Sequence, residues 1–188
     1  MIVNRFQEQV MTIRDFDGKK PQLGERVYID DSAVLVGDIT LADDVSIWPH
    51  VSARGDVNFM TIGARSNIQD NTVLHVTHDG PYTPDGGIPL RIGEDVTVGH
   101  QCILHACTIG NRVLVGMGAI IMDGVTVEDD VLIGAGTLVP PGKTLETGHL
   151  YRGNPMQKAR KLKPQEIESL KYSADHYVRL KDKYLTAM

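Results

Sequence analysis

At 188 residues and 20.7 kDa the chain is long enough for one well-buried domain and short for two. Aromatic residues make up only 5% of it against 19 glycines, so small and β-branched side chains must fill the core. A balance of 19 basic and 24 acidic residues gives a formal charge of −5, which argues against nucleic acid as the main partner, because phosphate binding needs a basic face. No run of about 18 apolar residues marks a membrane span, and the N-terminus lacks the apolar stretch of a secretory signal. Two cysteines, Cys102 and Cys107, make no disulfide framework. The expectation is a cytoplasmic protein with no nucleic-acid or membrane partner.

In chain order, residues 1–23 read as an irregular or short-strand lead-in. From 24 to 155 aliphatic residues recur every six positions, in runs such as Ile29, Leu35, Leu41, Ile47 and Ile109, Val115, Ile121, Val127, Ile133, Val139, Leu145. Gly often follows the aliphatic residue, as at Gly63, Gly93, Gly99, Gly110, Gly116 and Gly134. A helix repeats near 3.6 residues and an alternating strand at 2, so neither gives this step. A short strand plus a corner does, and the pattern predicts a parallel β-helix of hexapeptide repeats. Stacked coils of this kind place like residues about 4.8 Å apart along the axis.

The register breaks carry information. From Leu74 to Ile92 the step is 18 residues where 6 is due, so a loop of about 12 is inserted over 77–90. Its sequence, His78-Asp79-Gly80-Pro81-Tyr82-Thr83-Pro84-Asp85-Gly86-Gly87, has loop chemistry and should protrude. A second break, between Ile47 and Ile62, contains Arg54-Gly55-Asp56. Residues 156–188 depart from the hexapeptide pattern and read as a C-terminal α-helix packed on the β-helix. Within them Pro164 opens a helix to about 186, with Ile167, Leu170, Ala174, Tyr177 and Tyr184 at helical spacing.

With three hexapeptides per coil, three histidines become a candidate metal site. His75 follows Leu74 by one and His105 follows Leu104 by one. Allowing for the insertion, the two stack on one corner of adjacent coils. His100 follows Val98 by two and belongs to the preceding face, too far round to reach the same ion within one chain. A homotrimer resolves this, because one subunit's His100 face then meets the next subunit's His75/His105 face. Imidazole suits zinc, iron and cobalt, and three His with an open position describe a catalytic-type site. By the same register Asp70 stacks near His100, with Arg54 as its partner across the boundary. Gln69 beside it has an amide suited to orienting a water. Asn67 and Asp56 are candidates for the surrounding shell. His50, His149 and His176 read as surface residues.

Arg54-Gly55-Asp56, Asn67-Ile68-Gln69-Asp70, His75, Gly99-His100 and His105 together resemble the γ-class carbonic anhydrases, and Val96-Thr97-Val98-Gly99-His100 with Leu104-His105 resembles the enteric bacterial type most closely. The resemblance covers the whole β-helix and the C-terminal helix. It implies a left-handed β-helix, a homotrimer, and one zinc, iron(II) or cobalt ion per subunit interface, held by His75, His105 and a neighbour's His100. It implies reversible hydration of CO2 to bicarbonate by metal-bound hydroxide, assisted by Gln69, with Arg54 and Asp70 paired across the interface. Two departures stand out. Asp56 is followed by Val57 rather than Glu. His78 stands where family members carry a proton-shuttling Glu, and an imidazole titrating near pH 6.5 is able to take that role. A family Asn on the C-terminal helix is absent, and Tyr177 falls in that region. The rival readings are an acyl-thioester or other hydrolase at the same metal site, a non-catalytic metal-binding scaffold, and a hexapeptide-repeat acyltransferase.

Overall fold

In the computed structural model, which describes residues 12–187, the chain winds into a parallel β-solenoid closed by one helix. Three ladders of short strands make its three faces. The first contains Tyr28–Ile29, Ser46–Ile47, Asn67–Ile68, Thr97–Val98, Leu114–Val115 and Leu132–Ile133. The second contains Val73–His75, Ile103–His105, Ile120–Ile121 and Leu138–Val139. The third contains Leu90–Ile92, Thr108–Ile109, Thr126–Val127 and Thr144–Leu145. Two long strands, Val34–Leu41 and Ser52–Ile62, run through the second and third faces together.

The pairing gives the coil length directly. Val115 lies beside Ile133, Ile121 beside Val139 and Val127 beside Leu145, all parallel. Three hexapeptides therefore complete one turn. Leu74 pairs with Leu104 across the inserted loop, so the insertion leaves the stack in register.

Each short strand sends one aliphatic residue inward. Leu35, Ala53, Leu74, Leu104, Ile121 and Val139 form one such column, each no more than 1% exposed. Burying each larger aliphatic side chain contributes about 1.5–3 kcal/mol, and the column gives a thin core a continuous apolar axis. Where Gly37 faces Gly55 the strands come too close for side chains. A Cβ on Gly55 would lie 2.4 Å from the Asp38 carbonyl oxygen. Beyond that contact the register shifts, so that Ile39 pairs with Met60 and residues 56–59 bulge outward.

Helix α1 (Pro164–Ala187) begins at a proline, and the Glu166 side chain caps the free Lys163 N–H at 2.8 Å. It lies on the first face. Leu170, Ala174 and Lys181 are buried there, and Trp48 packs against Tyr28, Tyr177 and Tyr184 at ring distances of 5.3, 5.6 and 5.2 Å. Lys181 is completely buried, with its Nζ 2.9 Å from Asp44 Oδ1.

Two differences from the sequence expectation concern the ends. The segment 156–188 is not helical throughout. Gln157–Lys161 forms a strand antiparallel to His149–Arg152, and the helix itself begins at Pro164, where the sequence placed its start. The residues of this strand are all exposed and gave neither a helix period nor an apolar strand period. At the other end, Ile13–Arg14 and Gln22–Leu23 pair with Val34–Leu41, so the stack of coils starts before residue 24. The rest of the expected lead-in, residues 1–11, lies outside the described residues.

One corner carries a regular charge pattern. Arg26, Asp44, Arg65, Asp95, Arg112 and Asp130 occupy the same left-handed turn position in consecutive coils, with φ between 53 and 61°. Each Arg grips the next Asp with two nitrogens, at 2.9 and 2.6 Å for Arg26–Asp44, 2.8 and 3.0 Å for Arg65–Asp95, and 2.7 and 2.9 Å for Arg112–Asp130.

Candidate metal centre

The polar residues singled out from the sequence fall into two clusters at two different corners of the coil. The first sits between the first and second faces. There Asp70 Oδ2 lies 2.9 Å from His100 Nδ1, so Asp70 does stack on His100 one coil away. Beside them Gln69 and Asn67 are buried under α1. The Gln69 Nε2 donates to Asn67 Oδ1 at 3.1 Å, and Asn67 donates in turn to Thr97 Oγ1 at 3.0 Å. Thr97 is tied to Ser173 of the helix at 3.1 Å. The amide of Gln69 is thus oriented by its nitrogen, and among the described residues its oxygen takes no hydrogen bond. Tyr177 also reaches this region. Burial pushes its phenol above the ordinary range, and the Asp70 charge adds to the effect.

The second cluster sits between the second and third faces. Arg54, His75 and His105 are neighbours in one ladder, because Arg54 pairs with His75 and His75 with His105. The two imidazoles face each other, with His75 Nδ1 3.0 Å from His105 Nε2. Each outer ring nitrogen meets a carboxylate: His75 Nε2 lies 3.0 Å from Asp56 Oδ1, and His105 Nδ1 lies 2.7 Å from Asp123 Oδ1. Asp56 is delivered by the outward bulge after Gly55, and its other oxygen takes Arg54.

The proton count at this pair narrows what the space between the rings can hold. A carboxylate is only an acceptor, so each outer nitrogen must carry the ring proton. Two bare inner nitrogens would repel at 3.0 Å, so the gap between them holds either a proton, shared as N–H···N with one ring charged, or a metal ion. Imidazoles that bind a metal normally donate their second N–H to a carboxylate in this way. Two bonds of about 2.0–2.1 Å at a tetrahedral angle would set the nitrogens about 3.3–3.4 Å apart, a shift of a few tenths of an ångström from the observed spacing. The His75 and His105 donor set therefore fits a divalent ion. Burial is the main influence on His75 and lowers its pKa. The Asp56 hydrogen bond opposes this, and the Arg54 charge adds to the lowering, which favours the neutral form of the ring. Burial alone would raise the Asp56 carboxyl. The His75 hydrogen bond and the Arg54 charge outweigh it and hold Asp56 below the ordinary carboxylate range.

Among the described residues no group of three His, Cys, Asp or Glu side chains converges on one point within the chain. His100 is at the other corner, as its register requires. Arg54 pairs within the chain with Asp56, while Asp70 pairs with His100, so the expected Arg54–Asp70 contact does not form inside one subunit. The strand face between the two clusters is apolar and outward. Val73 and Ile103 are 42% and 39% exposed, and the partly buried Ile120 and Leu138 continue their ladder.

His78 is exposed on the inserted loop, three residues past His75. An antiparallel bridge between Thr77 and Ile88 closes the loop, and Asn58 Nδ2 pins it by donating to the Thr77 and Gly86 carbonyls at 3.1 and 2.8 Å. Asp123 was not recognised from the sequence. The signal for it is the shortened repeat: Leu104 pairs with Ile121, a step of 17, so Asp123 falls one position beyond the ladder equivalent of His105.

Residues 106–141 match the family profile described as bacterial transferase hexapeptide (six repeats). The chain is 60% identical over 173 residues to Protein YrdA of Escherichia coli, covering 92% of this chain and 94% of that protein. It is 39% identical over 186 residues to gamma carbonic anhydrase 3, mitochondrial, of Arabidopsis thaliana, covering 97% of this chain and 71% of that one. Its fold superposes on a hexapeptide transferase family protein from Anaplasma phagocytophilum with a TM-score of 0.85, at 37% identity, covering 92% of this chain and 98% of that chain.

Proposed function

The chain belongs to the γ-carbonic anhydrase family of hexapeptide-repeat proteins, and on that premise we propose that it is a metal-dependent hydro-lyase that interconverts CO2 and bicarbonate. The observation that carries this reading is the His75–His105 pair, with a carboxylate behind each ring and the two inner nitrogens 3.0 Å apart. His75 and His105 of one subunit and His100 of the next would hold the ion, zinc, iron(II) or cobalt, in a homotrimer with one site per interface. The exposed apolar ladder of Val73, Ile103, Ile120 and Leu138 lies between the two half-sites, where a second copy would cover it. When bound, such an ion supplies Lewis acidity and lowers the pKa of a water to about 7.

The chain's own residues do the rest. Asp56 and Asp123 keep the ring protons on the outer nitrogens. Gln69, fixed by Asn67, offers its carbonyl oxygen to the O–H of the reacting water and so orients it toward CO2. Asp70 steadies His100, and across the trimer boundary it meets Arg54. That cation gives the bicarbonate product a favourable field. Hydration releases one proton, and the exposed imidazole of His78 carries it to buffer.

Stopped-flow CO2 hydration with protein reconstituted with zinc, cobalt, or iron(II) under anaerobic conditions tests the proposal. The expected result is a rate above buffer that disappears in His100→Ala. A wild-type rate equal to buffer with every metal sinks it. A protruding loop beside His75 also suits a substrate with a long tail, which favours acyl-thioester hydrolysis as a second reading. A thioester panel separates the two.

A further inference from the structure

We propose that Asp123 is a positioning residue that couples the orientation of His105 to the seating of the inserted loop. The proposal rests on the metal reading above and adds a residue and a linkage to it. The two oxygens of the Asp123 carboxylate have different partners. Oδ1 accepts from His105 Nδ1 at 2.7 Å, and Oδ2 accepts from the Thr77 hydroxyl. Thr77 is the base of the loop. Its N–H donates to the Ile88 carbonyl and its carbonyl accepts from the Ile88 N–H, both at 2.9 Å. One carboxylate thus joins an imidazole on the second face to the bridge that closes a ten-residue excursion.

The other histidine is held differently. Asp56 faces His75 from the bulge after Gly55 and shares its second oxygen with Arg54. The His105 side therefore meets the loop base directly through the Asp123 carboxylate, whereas the His75 side meets it through the Asn58 amide of the same bulge and along the chain. Asp123 is anchored through its backbone, whose carbonyl accepts from Gly142 N at 2.9 Å in the next coil. Its side chain is 35% exposed, so the coil does not need it as packing. Movement of Thr77 draws on Oδ2 and rotates the carboxylate under His105. By reciprocity, an ion that fixes His105 steadies Thr77 and the loop. A ligand that displaces the loop near His78 is then read at the metal pair without touching it.

The test uses the full-length protein and three variants, Asp123→Asn, Thr77→Val and the double substitution. Two quantities are read: zinc affinity, and hydrogen exchange at the Thr77 and Ile88 amides with and without zinc. Asp123→Asn should weaken zinc about tenfold to a hundredfold. Thr77→Val should weaken it by a smaller factor, and the double variant should be no weaker than Asp123→Asn, because Thr77 acts through the carboxylate. Zinc should slow exchange at Ile88 in the wild type and not in Thr77→Val. A purely structural role would lower the melting temperature of the metal-free protein and leave the zinc dependence of exchange intact. Thr77→Val with wild-type affinity and wild-type zinc-dependent exchange overturns the coupling while the metal reading stands. A wild-type protein that takes up no zinc, cobalt or iron overturns the metal reading and this proposal with it.

Discussion

Replacing Gly55 with Ala tests how tightly the second face is closed and how that closure reaches the imidazoles. The added Cβ would sit 2.4 Å from the Asp38 oxygen, 2.9 Å from its carbonyl carbon and 3.2 Å from its nitrogen. Ordinary contact begins at 3.4 Å, so the Asp38 peptide must retreat by about 1 Å. It cannot retreat freely, because Val36 and Ile39 on either side are held in the ladder opposite Arg54 and Met60. Overpacking of this kind costs about 1–3 kcal/mol. The next residue is Asp56, whose carboxylate lies 3.0 Å from His75 Nε2, and a displacement of similar size breaks that bond. Loss of such a supporting bond weakens a bound metal about tenfold to a hundredfold. Denaturant unfolding of the metal-free protein and zinc titration of the folded protein read the two effects separately. Gly118→Ala is the control, since its Cβ would meet nothing within 4 Å and only its φ of +69° opposes the change, at a cost of about 1 kcal/mol. Gly55→Ala as stable as the wild type, with unchanged zinc affinity, would refute the steric argument and the link from bulge to imidazole.

Three other outcomes follow from the same contacts. Ile103→Asp puts a charge on the outward apolar ladder, so sedimentation should show monomers that keep the β-sheet circular dichroism spectrum but bind no metal. His78→Ala should lower the CO2 hydration rate without changing zinc affinity, and imidazole buffer should restore part of it; an unchanged rate removes His78 from proton transfer. Arg26 and Lys181 hold the Asp44 carboxyl at about 2, below its unfolded value, so its contribution is present above about pH 4 and fades as pH falls toward 2. Acid titration followed by the fluorescence of Trp48, the single tryptophan, should show α1 loosening in that window, and Asp44→Asn should flatten the transition.

The repeat was legible because it is written in chemistry that cannot be exchanged. A column such as Leu74, Leu104, Ile121 and Val139 must be aliphatic in every coil, so its period survives in the sequence. The His75–His105 pair was legible for the same reason once the insertion was counted as whole hexapeptides. Asp123 was harder to see, because it stands one residue past the ladder position of His105 and touches it only through a side chain. The Arg54–Asp56 pair was missed as well. It depends on the bulge of residues 56–59, and a bulge changes register without changing composition. Gln157–Lys161 has no buried side to give it a period, since its pairing with His149–Arg152 is made by backbone alone.

The alternation of Arg26, Asp44, Arg65, Asp95, Arg112 and Asp130 bears on how the chain finds its stack. In a solenoid each coil offers its neighbour nearly the same apolar surface, so a coil docked one step out of place loses little packing. Beyond any stability they add, the pairs carry information the core does not. In a stack slipped by one coil, Arg26 would face Arg65 and Asp44 would face Asp95, and every bidentate grip would become a repulsion. The corner thus works as a parity check on assembly: it tells correct neighbours from those one turn away, a distinction the core is too uniform to make.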